Sequence, residues 1–152
     1  MPGWTTYERF FEEYEVGETD PERAKTIDQA DVNVFAGLTL DFHPAHTDET
    51  FARERYGGRL VHGVLTFALV TGLCVEYNLR AISYGYERLR FPRPVYAGDT
   101  VRATATVVAV EPHARNPAIG LVTKEYTGRN QDGAVVMACR HLLAVDRREA
   151  LA

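Results

Sequence analysis

Residues 64–80, VLTFALVTGLCVEYNLR, carry apolar side chains on nearly every face of a helical projection. That pattern predicts a helix buried all round rather than one lying on a surface. At 1.5 Å per residue, these 17 residues would make a central rod of ~25 Å. Upstream, Val32, Val34, Phe35 and Leu38 follow a helical spacing that Asp28 is placed to cap, with Asp31 adding charge to the first turn. Before it, residues 24–27 read as a brief strand, and Tyr7, Phe10, Phe11 and Tyr14 form an apolar stripe that suits either a short helix or a strand. Pro44 disfavours helix at His43 and predicts irregular backbone there. A short helix from Asp48 to Arg55, capped by Thr47 or Asp48, would end at Gly57 and Gly58.

From residue 83 the period changes to roughly two, in Tyr84, Tyr86, Leu89 and Phe91. Residues 101–110, 119–127 and 135–145 are dense in β-branched and aromatic types and predict three long strands. The turn RNQDG between the last two supplies the Asn and Gly that a hairpin needs. A helical first half and a strand-rich second half predict an α+β domain, an antiparallel sheet wrapped on one helix. Such a sheet leaves unpaired edges, which pairing with a second copy would cover.

Composition narrows the classes. The chain has 152 residues, 45% hydrophobic and 25% charged, which is one ordinary globular domain over 1–152 with no repeat or linker. A net charge of −4 argues against a nucleic-acid partner. Cys74 and Cys139 sit in apolar segments without CxxC spacing, as buried free thiols of a reducing compartment do. No apolar run approaches the ~20 residues of a membrane span, and the acidic opening MPGWTTYERFFEEYE does not resemble a signal peptide. A cytoplasmic protein that does not enter membranes is expected.

The densest cluster of titratable groups is DFHPAHTD, residues 41–48. On irregular backbone, Asp41 and His46 can converge on one point, where a carboxylate and an imidazole would serve a water molecule as base and acid. The alternative is structural: Asp41 accepting backbone amides in its turn, and His46 a satisfied, partly buried imidazole. His62-Gly63 opens the apolar helix, whose first amides lack intrahelical acceptors. Gly63 would let a carbonyl approach its N–H closely, or would simply end a loop, and His62 would hold the entry loop or fill space. Asp41, His43, His46, Asp48 and His62 lack the HExxH or CxxC spacing of zinc ligands, so no metal is expected. Arg80, Arg88, Arg90 and Arg93 are either a solvated strand face or a place for the phosphates of an anionic substrate. Dinucleotide, P-loop and GxSxG motifs are absent.

Three stretches in order, LTLDFHPAH (38–46), GGRLVHGVLT (57–66) and FPRPVYAGDTV (91–101), resemble the MaoC-like dehydratases and (R)-specific enoyl-CoA hydratases of the hotdog superfamily, over roughly residues 28–110. The resemblance implies a hotdog fold, in which a strongly bent antiparallel sheet wraps a long central helix, commonly as a homodimer. It implies reversible hydration of a trans-2-enoyl thioester on CoA or acyl-carrier protein, with no cofactor. Asp41 and His46 match the catalytic pair, Gly63 matches the glycine whose N–H stabilises the enolate oxygen, and Thr71 matches a small hydroxyl residue bordering the site. His43, His62, Arg90 and Arg93 are the further candidates for substrate contact. Two positions depart from the family turn: Leu40 stands where it has glycine and His43 where it has asparagine. Other functions open to this fold are thioester hydrolysis and a non-catalytic accessory subunit of a dehydratase complex.

Overall fold

The computed structural model describes residues 5–148. Five strands form one sheet: β1 (Arg23–Thr26), β2 (Ala81–Arg90), β3 (Thr100–Pro112), β4 (Ile119–Arg129) and β5 (Val135–Asp146), in the spatial order β1-β3-β4-β5-β2. Every pairing is antiparallel. Register shifts in β2 and β3 mark bulges, and at one of them Arg88 adopts φ 53°. Bulges bend strands, and these curl the sheet around a helix.

That helix is α4 (Gly63–Leu73), which packs on β3, β4 and β5. Thr66 and Val70 face the sheet and are fully covered. The approach is close because β4 carries Gly128 beneath it: a Cβ there would lie 2.6 Å from Val70. Ile27, Val61, Val101, Tyr126, Val136 and Met137 complete the main core. A second cluster around Phe11, Tyr14, Val122 and Leu143 closes the far end of the sheet.

Two expectations about α4 need correction. The helix stops at Leu73 instead of running to residue 80. Apolar patterning continues past that point, but tertiary bonds claim the backbone. Asn78 accepts from the amides of Arg9 and Arg80 and donates to the Arg9 carbonyl, while Glu76 pairs with Lys124. Nor is the helix buried all round, since Val64 is 62% exposed and Ala68 and Gly72 also face outward.

The other elements follow local rules. α1 (Gln29–Thr39) starts with a reciprocal capping box between Asp28 and Asp31. A single turn, α2 (Pro44–Thr47), takes up part of the stretch expected to be irregular, with Pro44 at a first-turn position that lacks an amide demand. α3 (Glu49–Tyr56) is capped by Asp48 and ends at Gly57 with φ 83°. The N-terminal stripe forms a short 3-10 turn at Phe11–Glu13. β1 lies in the first half of the chain yet joins the sheet beside β3, so the two halves are not segregated by type.

Candidate active site

The site begins with the turn between α1 and α2. Leu40 ends α1 in a left-handed conformation, φ 63°, the position where the family turn has glycine. The next residue, Asp41, is exposed, and its Oδ1 accepts the His43 amide. His43 acts as the N-cap of α2, its Nδ1 accepting the Ala45 amide. The asparagine expected at position 43 is thus replaced by a side chain that still orders the turn.

His46 comes from α2. Its Nδ1 lies 2.7 Å from the Leu60 carbonyl. A carbonyl can only accept, so Nδ1 carries the proton and the lone pair of the neutral ring sits on Nε2. Burial pushes His46 below its ordinary value, with His62 and His43 adding to that and the Leu60 carbonyl and Asp41 opposing it.

His62, just ahead of α4, is almost wholly buried. Its Nε2–H donates to the Asp41 main-chain carbonyl at 3.0 Å, and its ring stacks on His46 with centroids 3.8 Å apart. The Phe35 ring also packs on it, tilted, with centroids 5.1 Å apart, and Nδ1 is buried without a partner. His62 therefore holds the Asp41 turn against the His46 ring. Asp41, His46 and His62 each bring one donor atom within 4.8 Å of the others, a spacing that could also hold a cation.

Beside His46 lies a cavity of about 210 Å³, walled by Gly63, Thr66, Phe91, Arg93 and Val136 among others. Gly63 opens α4, where backbone amides are unsatisfied by the helix and the dipole favours negative charge. The Phe91 ring lies flat enough against it that a Cβ would come within 3.2 Å. Arg93 thus joins His46 and Gly63. Arg90 does not: it lines a separate hollow with Arg88, Glu125 and Arg140. Thr71 lines another cavity, two turns further along α4. The Leu60 carbonyl, Phe35 and Phe91 also belong to the site; the sequence patterns include these residues but not these roles, because two act through packing and one through a main-chain atom.

The MaoC like domain profile matches residues 13–130. The (R)-specific enoyl-CoA hydratase of Rhodospirillum rubrum is 34% identical over 108 residues, 70% of this chain and 74% of that protein. The 3-hydroxyacyl-thioester dehydratase Z of Mycobacterium tuberculosis is 41% identical over 92 residues, 57% of this chain and 61% of that protein. The match to Protein MaoC of Klebsiella aerogenes spans only 31% of its length. Among solved structures, a MaoC-like dehydratase from Rhodospirillum rubrum superposes with a TM-score of 0.80 at 32% identity, covering 92% of this chain and 98% of that one. A double-hotdog protein of Mycobacterium tuberculosis gives 0.82 at 18% identity, over 92% of this chain and 44% of that one, and speaks for the fold alone. With the bent sheet, the central helix and the matched span all in agreement, the chain belongs to the MaoC-like dehydratase family and has the hotdog fold.

Proposed function

We propose that this protein catalyses the reversible hydration of a trans-2-enoyl-CoA to the (R)-3-hydroxyacyl-CoA. The observation that carries the reading is the state of His46: Nδ1–H anchored on a carbonyl, Nε2 free, and burial holding the ring neutral beside the Asp41 carboxylate. A water held between Asp41 and Nε2 loses a proton to the imidazole as its oxygen attacks Cβ. The Cβ–Cα π electrons move toward the thioester carbonyl, and the Gly63 N–H, at the positive end of α4, stabilises the resulting enolate oxygen. The proton taken from water returns to Cα, so OH and H are both accounted for, and dehydration runs the same steps in reverse.

No step in this scheme uses a metal, and unchanged turnover after dialysis against EDTA is the expected result. Arg93, at the cavity rim, is positioned for the thioester's anionic carrier, CoA or acyl-carrier protein. The names of the relatives, a hydratase and a dehydratase of hydroxyacyl thioesters, favour hydration over thioester hydrolysis. We place the protein in the cytoplasm on its two buried free thiols, which suit a reducing compartment. The exposed face of α4 and the outer edge of β2 support a homodimer.

Asp41→Asn tests the scheme. It should keep the fold and the melting temperature while crotonyl-CoA hydration falls by ~10²-fold or more. Near-normal turnover in that variant contradicts the scheme. Hydration that appears only on adding a second protein would favour the accessory-subunit reading.

A further inference from the structure

Two histidines lead into helices on nearly the same backbone. His43 precedes α2 with φ −55° and ψ 136°, and His62 precedes α4 with φ −56° and ψ 134°. His43 caps its helix, Nδ1 accepting the Ala45 amide two residues on. His62 has the same opportunity and makes no side-chain cap. Its Nδ1 has no hydrogen-bond partner among the described residues. With the residue only 2% exposed, that atom is also shut off from bulk water. An unpaired buried acceptor destabilises a fold, and a side-chain cap at a helix start stabilises one. Position 62 thus forgoes a cap and keeps a polar atom unpaired, where an apolar side chain could fill the space without that penalty. Such an atom in a folded protein calls for an explanation.

What the ring does instead is touch both members of the proposed acid–base pair. Nε2–H donates to the Asp41 carbonyl at 3.0 Å, and the Asp41 carboxylate Oδ2 lies 4.0 Å from the same nitrogen. Asp41 sits in an exposed turn, and this bond ties the turn to a buried side chain. The face of the ring lies on His46, with planes 23° apart and centroids 3.8 Å apart. The Leu60 carbonyl fixes one edge of His46 through Nδ1–H. A ring stacked on its face fixes its plane, and with it the direction in which Nε2 points.

Building on the hydratase reading, we infer that His62 is a positioning residue for the hydration step. Its neutral ring, protonated on Nε2, sets the Asp41 carboxylate and His46 Nε2 relative to one another through two separate contacts, the hydrogen bond and the ring stack. His62 meets no reacting atom. Its effect falls on kcat, because the two groups it places act on the water in the transition state and do not hold the acyl chain. The missing cap and the unpaired Nδ1 are the stability given up for that placement.

Three variants separate the contacts. His62→Gln keeps an N–H donor near the place of Nε2 and removes the ring. His62→Phe keeps a ring and removes the donor, and His62→Leu removes both. Each is compared with wild type in kcat and KM on an enoyl-CoA series from crotonyl- to trans-2-octenoyl-CoA, in melting temperature, and in the histidine resonances of 15N-labelled protein. In His62→Leu, kcat should fall by ~10²-fold, as a misplacement near 1 Å does, with KM within about 3-fold of wild type. His62→Gln and His62→Phe should each regain part of the loss, and His62→Phe, freed of the unpaired Nδ1, should melt no lower than wild type. In wild type the His62 proton should be on Nε2, with Nδ1 bare. A folded His62→Leu with kcat within about 3-fold of wild type overturns the inference and leaves the hydratase reading intact. So do Gln and Phe variants no better than Leu, losses of kcat that only follow melting temperature, or a His62 proton found on Nδ1. If wild type turns over no enoyl-CoA, the hydratase reading falls, and the positioning of His46 is decided by its Nδ1–H resonance. A signal present in wild type and lost to exchange in His62→Leu supports it, and an unchanged signal overturns it.

Discussion

His46 owes its chemistry to a main-chain atom. The Leu60 carbonyl fixes the tautomer, and burial lowers the affinity of the ring for a second proton. The sign of the pH dependence follows from the proposed scheme: with the neutral ring as the base, activity should be lost as pH falls through a value below the usual 6.5. The acid limb of kcat/KM for crotonyl-CoA should therefore have its midpoint below 6.5, and a midpoint above 7 would contradict the assignment of His46 as base. Gly63 makes a different demand. Its amide survives in Gly63→Ala, but the new methyl group would press on Phe91 at 3.2 Å. Displacing either the ring or the helix start misaligns the donor, and a misplacement near 1 Å costs ~10²-fold in rate. The loss should appear in kcat with little change in melting temperature, and an unaltered kcat would argue against a role for this amide. Asp41, His46 and Gly63 could all be singled out from motif and spacing. The role of His62 could not, because a hydrogen bond to the carbonyl of Asp41 leaves no trace in residue type.

At the scale of elements, α1 and α3 are written locally, in Asp28, Asp48 and Gly57. The end of α4 is not. Residues after Leu73 keep an apolar, helix-compatible pattern but are drawn into long-range bonds, above all by Lys124. This lysine on β4 is 1% exposed and pairs with Glu76 from the segment after α4 and with Asp20 at 2.8 Å. The Tyr14 hydroxyl donates to the same Glu76. Lys124→Met would leave two carboxylates around an apolar chain, one of them nearly buried. Breaking a buried pair from one side costs ~3–5 kcal/mol, so urea unfolding should show a loss of about 3 kcal/mol. A loss under ~1 kcal/mol, the range of surface pairs, would mean the cluster does not set the helix end. β1 is a partial case: residues 24–27 read as a brief strand and Arg23–Thr26 form one, but its place in the sheet is set by pairing with β3.

For the whole molecule, the sheet ends in an edge whose outward residues are unusually apolar. Ile82, Tyr84 and Leu89 on β2 are exposed by 71%, 56% and 43%, and Val64 on α4 by 62%. A long apolar edge invites pairing with a second copy. The double variant Ile82→Lys, Tyr84→Lys should shift a wild-type dimer toward monomer in sedimentation velocity, and a monomeric wild type at micromolar concentration would contradict this. The class of fold was legible because strand periodicity and one apolar helix suffice for it. The contact between Phe67 and Tyr86 was not, since both rings are ordinary members of their own patterns and meet only in three dimensions. Among the described residues no helix is long and apolar enough to cross a membrane.

The central claim is that Asp41, His46 and the Gly63 amide form a hydration site. Its most direct test follows the enoyl-thioester absorbance of crotonyl-CoA with wild type beside His46→Ala. The account predicts loss of the band with wild type and a rate lower by at least ~10²-fold with the variant, both proteins folded. Equal rates in the two proteins, or no change with a folded wild type across the enoyl-CoA series, would contradict it.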